Sequence, residues 1–309
     1  MVKQNTIPVF FAADEYYMPF LAVALTSIKK YASADKEYKI HVLCTGIEEE
    51  KQKPVLAMQT ENIKISFENI SDKAAQIYSV MRCRDYYTSA IYFRLFIPDL
   101  FPQYDKAIYL DCDTVLLDDI AKLYEVNIGD NYIGAVADQA VAAVPEFREY
   151  TKNALDVDAE NYFNSGVIVL NLKQLRGIDF YKTFYGILSS YDFIVAPDQD
   201  CLNLICKNKV YFYGAEWNRM PIGGMDKEPP KLIHYNLAMK PWHYDGVLFE
   251  EYFWEFAKQT EYYEDILAQK EAFTPAMAER DKVGGEKLIA LAKSEADSPN
   301  NYIRTVRKK

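Results

Sequence analysis

Ile108-Tyr109-Leu110-Asp111-Cys112-Asp113-Thr114-Val115 is the stretch on which the reading of this chain turns. An apolar run of strand character ends in two aspartates one residue apart. In an extended chain, residues two apart point to the same side, so Asp111 and Asp113 are expected to present both carboxylates in one direction, about 7 Å apart at Cα. Two hard oxygen ligands with open positions suit Mg²⁺ or Mn²⁺, with a substrate phosphate completing the shell. Burying two unpaired carboxylates side by side without a cation would be costly. The plainer reading is a pair of solvated strand-end aspartates, because D-x-D arises readily by chance.

Outward from this stretch, apolar runs of strand length alternate with helix-period stretches as far as about residue 240. Strands are expected at Ile7 to Ala13, Tyr38 to Cys44, Ile63 to Ile70, Ala107 to Leu117, Tyr132 to Ala137, Gly166 to Leu170, Val210 to Tyr213 and Lys231 to Tyr235. Helices are expected at Asp14 to Tyr31, Thr88 to Ile97, Lys173 to Ser190 and Gln199 to Cys206. This alternation argues for an α/β fold with a mainly parallel sheet covered on both faces. Such sheets place ligands beyond the carboxyl ends of their strands. From about Gly246 the composition turns aromatic and acidic. Residues 1–245 are therefore expected to form the catalytic domain and 246–309 a helical C-terminal extension. Leu248, Tyr252, Phe256 and Tyr263 would form its apolar stripe.

The chain has 309 residues, half of them apolar, and a formal net charge of -10. It is long enough for a sizeable core. Its acidity argues against a general nucleic-acid binder, because phosphate backbones recruit basic surface. Any anionic substrate must then be met by a metal ion or a local cluster of bases. No apolar run reaches the roughly 18–20 residues of a membrane span, and the N-terminus lacks a signal-peptide layout. The five cysteines form no C-x-x-C pair. Cys44, Cys112, Cys201 and Cys206 in apolar surroundings and Cys83 in a polar one read as reduced thiols of a cytoplasmic protein.

Of the three histidines, His234 ends the apolar run Leu232-Ile233-His234. A neutral imidazole there can complete a metal shell begun by two carboxylates. Lys240, six residues on, supplies an ammonium for phosphate oxygens. His41 and His243 are expected to be structural. D-x-D-T-V after an apolar strand also resembles the nucleophile motif of haloacid-dehalogenase-type phosphatases, where Asp111 would attack phosphate. That family usually opens its domain with this strand, whereas about a hundred residues precede it here.

Taken in order, the motifs resemble those of the family 8 glycosyltransferases, over roughly residues 6 to 242. These are retaining, nucleotide-sugar-dependent enzymes that include glycogenin and bacterial lipopolysaccharide galactosyl- and glucosyltransferases. Phe11-Ala12-Ala13-Asp14 with Tyr16-Tyr17 is similar to the family's uridine-binding strand and loop. Arg94 sits where the family places a donor-contacting arginine, and Asp111, Cys112 and Asp113 match its metal-binding D-x-D. Asp138 matches an aspartate that grips sugar hydroxyls. Phe163-Asn164-Ser165-Gly166-Val167 resembles F-N-A/S-G-V, with Asn164 near the donor. Pro197-Asp198-Gln199-Asp200 resembles the D-Q-D segment beside the anomeric carbon. His234 and Lys240 match the third metal ligand and the diphosphate-binding lysine of H-x-x-G-x-x-K-P-W. Leu237 departs from that motif's glycine, and Tyr16 stands where asparagine is common.

The resemblance implies a GT-A type nucleotide-diphospho-sugar transferase fold, Rossmann-like, with helices flanking the sheet. It implies Mn²⁺, or less effectively Mg²⁺, held by Asp111, Asp113 and His234. The donor would be a UDP-sugar bound by Ala12, Ala13, Asp14, Tyr17, Arg94, Asp111, Cys112, Asp138, Asn164 and Lys240, and UDP would be released. Gln199, Asp198 and Asp200 are the catalytic candidates. The acceptor would be a carbohydrate or glycolipid. A non-catalytic UDP-sugar-binding protein is the other alternative. The extension carries 12 acids against 10 bases. Its aromatic stripe is expected to pack on the sheet domain or form a homodimer contact. Its tail bases, Arg304, Arg307, Lys308 and Lys309, would offer at most weak peripheral contact with the inner face of a membrane.

Overall fold

The computed structural model describes residues 5–81, 89–224, 228–236 and 238–306. Cys83, Thr88, Leu237, Arg307, Lys308 and Lys309 lie outside them. Its strands are β1 (Thr6–Ala12), β2 (Glu37–Cys44), β3 (Ile63–Asn69), β4 (Ala107–Leu110), β5 (Thr114–Leu116), β6 (Ile133–Ala137), β7 (Phe163–Leu170), β8 (Val210–Phe212) and β9 (Leu232–His234). Seven of them form one sheet in the order β3-β2-β1-β4-β7-β6-β8, and β5 pairs with β9 in a second. The four strands β3, β2, β1 and β4 are mutually parallel, and β7 runs antiparallel to both β4 and β6. β8 is parallel to β6.

The apolar runs are continuous because both faces of the sheet are covered. Side chains alternate between two cores. Phe10 and Tyr109 enter the core that also holds Tyr92, Phe96, Tyr162 and Leu170. Val9, Phe11, Ile108 and Leu110 enter the opposite one, with Leu21, Ile40 and Val169. Pro8 is tolerated in this central strand because β4 joins β1 only from Val9 onward, so its missing N–H removes no bond from that ladder.

The expected strand over Ala107 to Leu117 is two strands. The chain leaves the large sheet after Leu110 and enters the small one at Thr114, and the aspartates occupy the turn between. Asp111 N–H still donates to Gly166 O at 2.7 Å, and Thr114 Oγ1 then donates back to Asp111 O at 2.8 Å. Such local side-chain bonding competes with a ladder.

Other boundaries moved for similar reasons. The first helix is Met18–Tyr31, because Asp14 Oδ1 accepts Tyr17 N–H at 3.0 Å and Pro19 lies in the first turn. Asp179, with φ +51°, splits the region Lys173 to Ser190 into helices Leu172–Gly177 and Phe180–Ser190. The segment before Ile97 is the 3₁₀ helix Ser89–Phe96. The strand expected from Gly166 begins earlier, at Phe163, so Asn164 and Ser165 belong to β7.

Beyond residue 246 come helices Glu250–Ala257, Tyr263–Ala272 and Pro275–Asp297. In the first of these Phe253 and Phe256 are buried beside Trp242 and Phe20, whereas Leu248 of the expected stripe is exposed. The 23-residue helix Pro275–Asp297 packs along Pro145–Leu155. Pro145–Leu155 is not among the expected helices, whereas Pro275–Asp297 falls within the helical extension expected over 246–309. Among the described residues no helix is long and apolar enough to cross a membrane.

Candidate active site at the carboxyl rim of the sheet

One cavity opens at the carboxyl ends of β1, β4 and β6. Because β7 runs the other way, its amino end, Asn164 and Ser165, reaches the same rim. Of the expected residues, Ala12, Asp14, Tyr17, Arg94, Asp111, Cys112, Asp113, Asp138, Asn164, Asp198, Gln199, His234 and Lys240 all line it. Ala13 and Asp200 do not. Ala13 is buried, with its N–H on Leu43 O.

Strand pairing brings His234 to the aspartates. β5 and β9 are antiparallel with Thr114 opposite His234, and Tyr235 N–H donates to Asp113 O at 2.9 Å. One ligand atom each from Asp111, Asp113 and His234 then lies within 4.8 Å of the others. His234 Nε2 is 3.2 Å from Asp113 Oδ1 and 3.7 Å from Asp111 Oδ2. The imidazole is 2% exposed, and its Nδ1 sits 3.1 Å from Asn218 Oδ1. Donation from Nδ1–H to that oxygen selects the tautomer whose Nε2 lone pair faces the carboxylates. Asn218 is itself fixed by donating to Asn164 Oδ1 at 3.0 Å. Nothing in the sequence marked Asn218.

Asp111 Oδ1 accepts from Arg94 Nη2 at 2.9 Å and from the Tyr109 hydroxyl at 2.8 Å, which aims Oδ2 at His234. Arg94 is 3% exposed, lies 4.3 Å over the Tyr109 ring and donates to the backbone oxygen and hydroxyl of Ser165. Asp113 Oδ2 accepts from Lys240 Nζ, which also donates to Tyr235 O at 2.6 Å. Burial disfavours the Asp113 carboxylate, but the Lys240 ammonium, joined by His234 when its Nε2 carries a proton, more than reverses that and holds it well below the usual carboxylate range. Asp113 Oδ1 is buried and has no hydrogen-bond donor among the described residues.

That orphaned oxygen, an imidazole lone pair and a second carboxylate make a donor set suited to a divalent cation. Space is kept for one by Gly166. A Cβ there would stand 2.2 Å from His234 Cε1 and 2.5 Å from Asp111 Oδ2.

Asp138 caps the Gln139–Ala143 helix through Oδ1, while its Oδ2 accepts from Asn164 Nδ2 at 3.1 Å and Gln199 Nε2 at 3.0 Å. Gln199 Oε1 accepts Ser165 N–H at 2.9 Å. Its amide is therefore held at both ends. Asp198 lies 3.7 Å from Arg94 Nε; burial outweighs that cation and pushes its carboxyl up to about 6.

Asp200 turns away into the core, where its carboxyl accepts from Tyr150, Tyr162 and Ala196 N–H. Burial outweighs these three donors and pushes it up to about 7. A carboxyl raised in the folded state favours folding below its unfolded pKa of about 3.9, and that contribution is lost as pH rises through the folded value. Between pH 5 and pH 8 the stability of the Asp200→Asn variant relative to wild type is therefore expected to rise by roughly 1–4 kcal/mol. Denaturant melts at the two pH values would measure it, and a pH-independent difference would contradict the assignment.

The family model described as glycosyl transferase family 8 matches residues 8–246. The chain is 29% identical over 256 residues to the lipopolysaccharide 1,2-glucosyltransferase of Escherichia coli (strain K12), covering 76% of this chain and 72% of that one. Among solved structures it is similar to the galactosyltransferase LgtC in complex with donor and acceptor sugar analogs. There the TM-score is 0.68 and the identity 29%, over 82% of this chain and 96% of that one. The apo structure of the bifunctional glycosyltransferase WbbM gives a TM-score of 0.74 at 26% identity, covering 88% of this chain and 53% of the other. The mainly parallel sheet with its flanking helices is the GT-A fold of these neighbours.

Proposed function

The chain belongs to glycosyl transferase family 8, and from that premise we propose that it moves glucose or galactose from a UDP-sugar to a hydroxyl of a carbohydrate or glycolipid acceptor, with retention at the anomeric carbon. The observation that carries this is the convergence of Asp111, Asp113 and His234, beside Arg94 and Lys240, on one cavity. Mn²⁺, or less effectively Mg²⁺, would be held by those three residues and, when bound, would supply Lewis-acid neutralisation of the leaving diphosphate.

The remaining roles follow from position along the cavity. Ala12, Asp14 and Tyr17, at the end of β1, receive the uridine. Lys240 meets the diphosphate as its second cation. Asp138 and Asn164, already hydrogen-bonded to each other, orient the sugar hydroxyls. Gln199 presents a neutral amide oxygen fixed by Ser165 N–H, and Asp198 is paired with Arg94. Neither is a strong free nucleophile. These facts favour attack from the face the diphosphate leaves, with Gln199 stabilising the positive charge that develops on the sugar. The lipopolysaccharide glucosyltransferases among the relatives favour a product in a bacterial cell-surface glycan.

A thermal-shift screen of UDP, GDP, CMP and ADP, with and without Mn²⁺, tests the donor. Stabilisation by several degrees is expected for UDP only with Mn²⁺ present, since a ligand at a hundredfold excess over its Kd adds about 2.7 kcal/mol. Stabilisation by another nucleotide instead would overturn the assignment.

A further inference from the structure

The cavity does not end at Gln199. Its lining also includes Val141, from the helix that Asp138 caps, Phe147 and Thr151, from Pro145–Leu155, Val195 and Ala196, just before Pro197, and Leu288. This wall is apolar in practice as well as in composition. Thr151 Oγ1 donates to Arg148 O within its own helix. The nearby hydroxyls of Tyr150 and Tyr162 are both spent on Asp200. Among the described residues the cations lining the cavity are Arg94, bonded to Asp111, and Lys240, bonded to Asp113, with His234 between the two carboxylates. Among the described residues, these apolar side chains bring no counter-charge for a diphosphate.

The wall is also assembled from distant parts of the chain. Leu288 belongs to helix Pro275–Asp297, beyond residues 8–246 matched by the family model. That helix reaches the cavity by packing along Pro145–Leu155, which contributes Phe147 and Thr151.

Resting on the transferase reading above, we propose that this apolar wall is the acceptor's aglycone pouch. It would take an aryl or alkyl group attached next to the accepting sugar, and Leu288 would be a specificity-determining residue. Once the donor fills the cavity from Asp14 to Gln199, the reactant still to be placed is the acceptor. Its hydroxyl must approach beside Gln199, and whatever it carries beyond that point meets Val141, Phe147, Val195 and Leu288. Burying that apolar surface there should give an octyl or aryl group about a tenfold or greater gain in kcat/KM over a methyl group.

The test uses the full chain with Mn²⁺, UDP-glucose or UDP-galactose, and methyl, p-nitrophenyl and octyl glycosides of glucose and galactose in both anomers. For the hexose that is used, the apolar glycosides are expected to exceed the methyl glycoside by about tenfold or more. Leu288→Trp, which fills the pouch, is expected to bring that ratio to within about threefold of unity. The ratio is taken within one preparation, so partial misfolding of the variant does not affect it. Equal use of methyl and apolar glycosides, or a ratio that Leu288→Trp leaves unchanged, overturns the pouch. Hydrolysis of the two donors without acceptor separates the two readings. If neither donor is hydrolysed, the transferase reading fails and the pouch with it. If hydrolysis proceeds but no glycoside is glycosylated, the same compounds are titrated as inhibitors of hydrolysis. Tighter inhibition by the apolar members supports the pouch, and its absence overturns it.

Discussion

Asp113→Ala is expected to lower sugar transfer and donor hydrolysis by at least about a thousandfold. Asp113 offers the cavity its orphaned Oδ1, while its Oδ2 holds Lys240. Alanine removes one of three candidate ligands and takes from the buried Lys240 ammonium its carboxylate partner. Breaking a buried ion pair by removing one partner costs about 3–5 kcal/mol, so this variant loses stability as well as activity. Asp113→Asn separates the two effects, because it keeps the volume and one oxygen but not the charge. It should retain the fold and lose Mn²⁺ binding, read by calorimetric titration of the metal alone. The pH dependence has a definite sign. A carboxyl depressed in the folded state stabilises above its unfolded pKa of about 3.9 and loses that contribution as pH falls through the folded value. Wild type should therefore exceed Asp113→Asn in stability at neutral pH, and the gap should close in strong acid. Full activity in Asp113→Asn would remove the metal from the proposal.

The same residues show how the sequence could name the right groups for a partly wrong reason. Two aspartates on one strand were expected to share a side by β periodicity, yet they share it through a turn. The error was harmless because an apolar run, two aspartates and a threonine describe either geometry. His234 was legible as a strand end with metal-ligand chemistry, but its arrival beside Asp113 depends on β5 pairing with β9, across more than a hundred residues. Asn218 was invisible, since a lone asparagine between loops has no pattern. The helix Pro275–Asp297 was legible only as part of a helical extension, and its bounds escaped for a different reason. It carries Gly284 and Gly285 at its centre and buries only Ala292 and Ala296, so no stripe of large apolar residues announces it. Its cap was readable, with Thr274 accepting Met277 N–H and Pro275 at the first turn. Leu288 consequently reached the cavity unforeseen.

Gly166→Ala is the sharper test of the cation cradle, because it changes no ligand. The added Cβ would lie 2.2 Å from His234 Cε1, 2.9 Å from His234 Nε2 and 2.5 Å from Asp111 Oδ2. Contacts this short force something to move, and the neighbours are not free ends. His234 is held through Nδ1 by Asn218 and through its backbone N–H by Arg219 O. Asp111 is held by Arg94 and Tyr109. The methyl group can be accommodated only by driving the imidazole and a carboxylate apart, which opens the triangle that a small cation must span. Mn²⁺ affinity is expected to fall about a hundredfold or more, and kcat/KM with it. The fold should survive. Gly166 lies within β7 without a positive φ, so alanine is allowed there by the backbone, and overpacking costs about 1–3 kcal/mol against a small entropic gain from replacing glycine. The signature is thus a protein that melts within a few degrees of wild type without metal but no longer gains stability from Mn²⁺. If Gly166→Ala binds Mn²⁺ and turns over a UDP-sugar within about threefold of wild type, the cation does not sit between Asp111 and His234, and the roles given to both residues must be withdrawn.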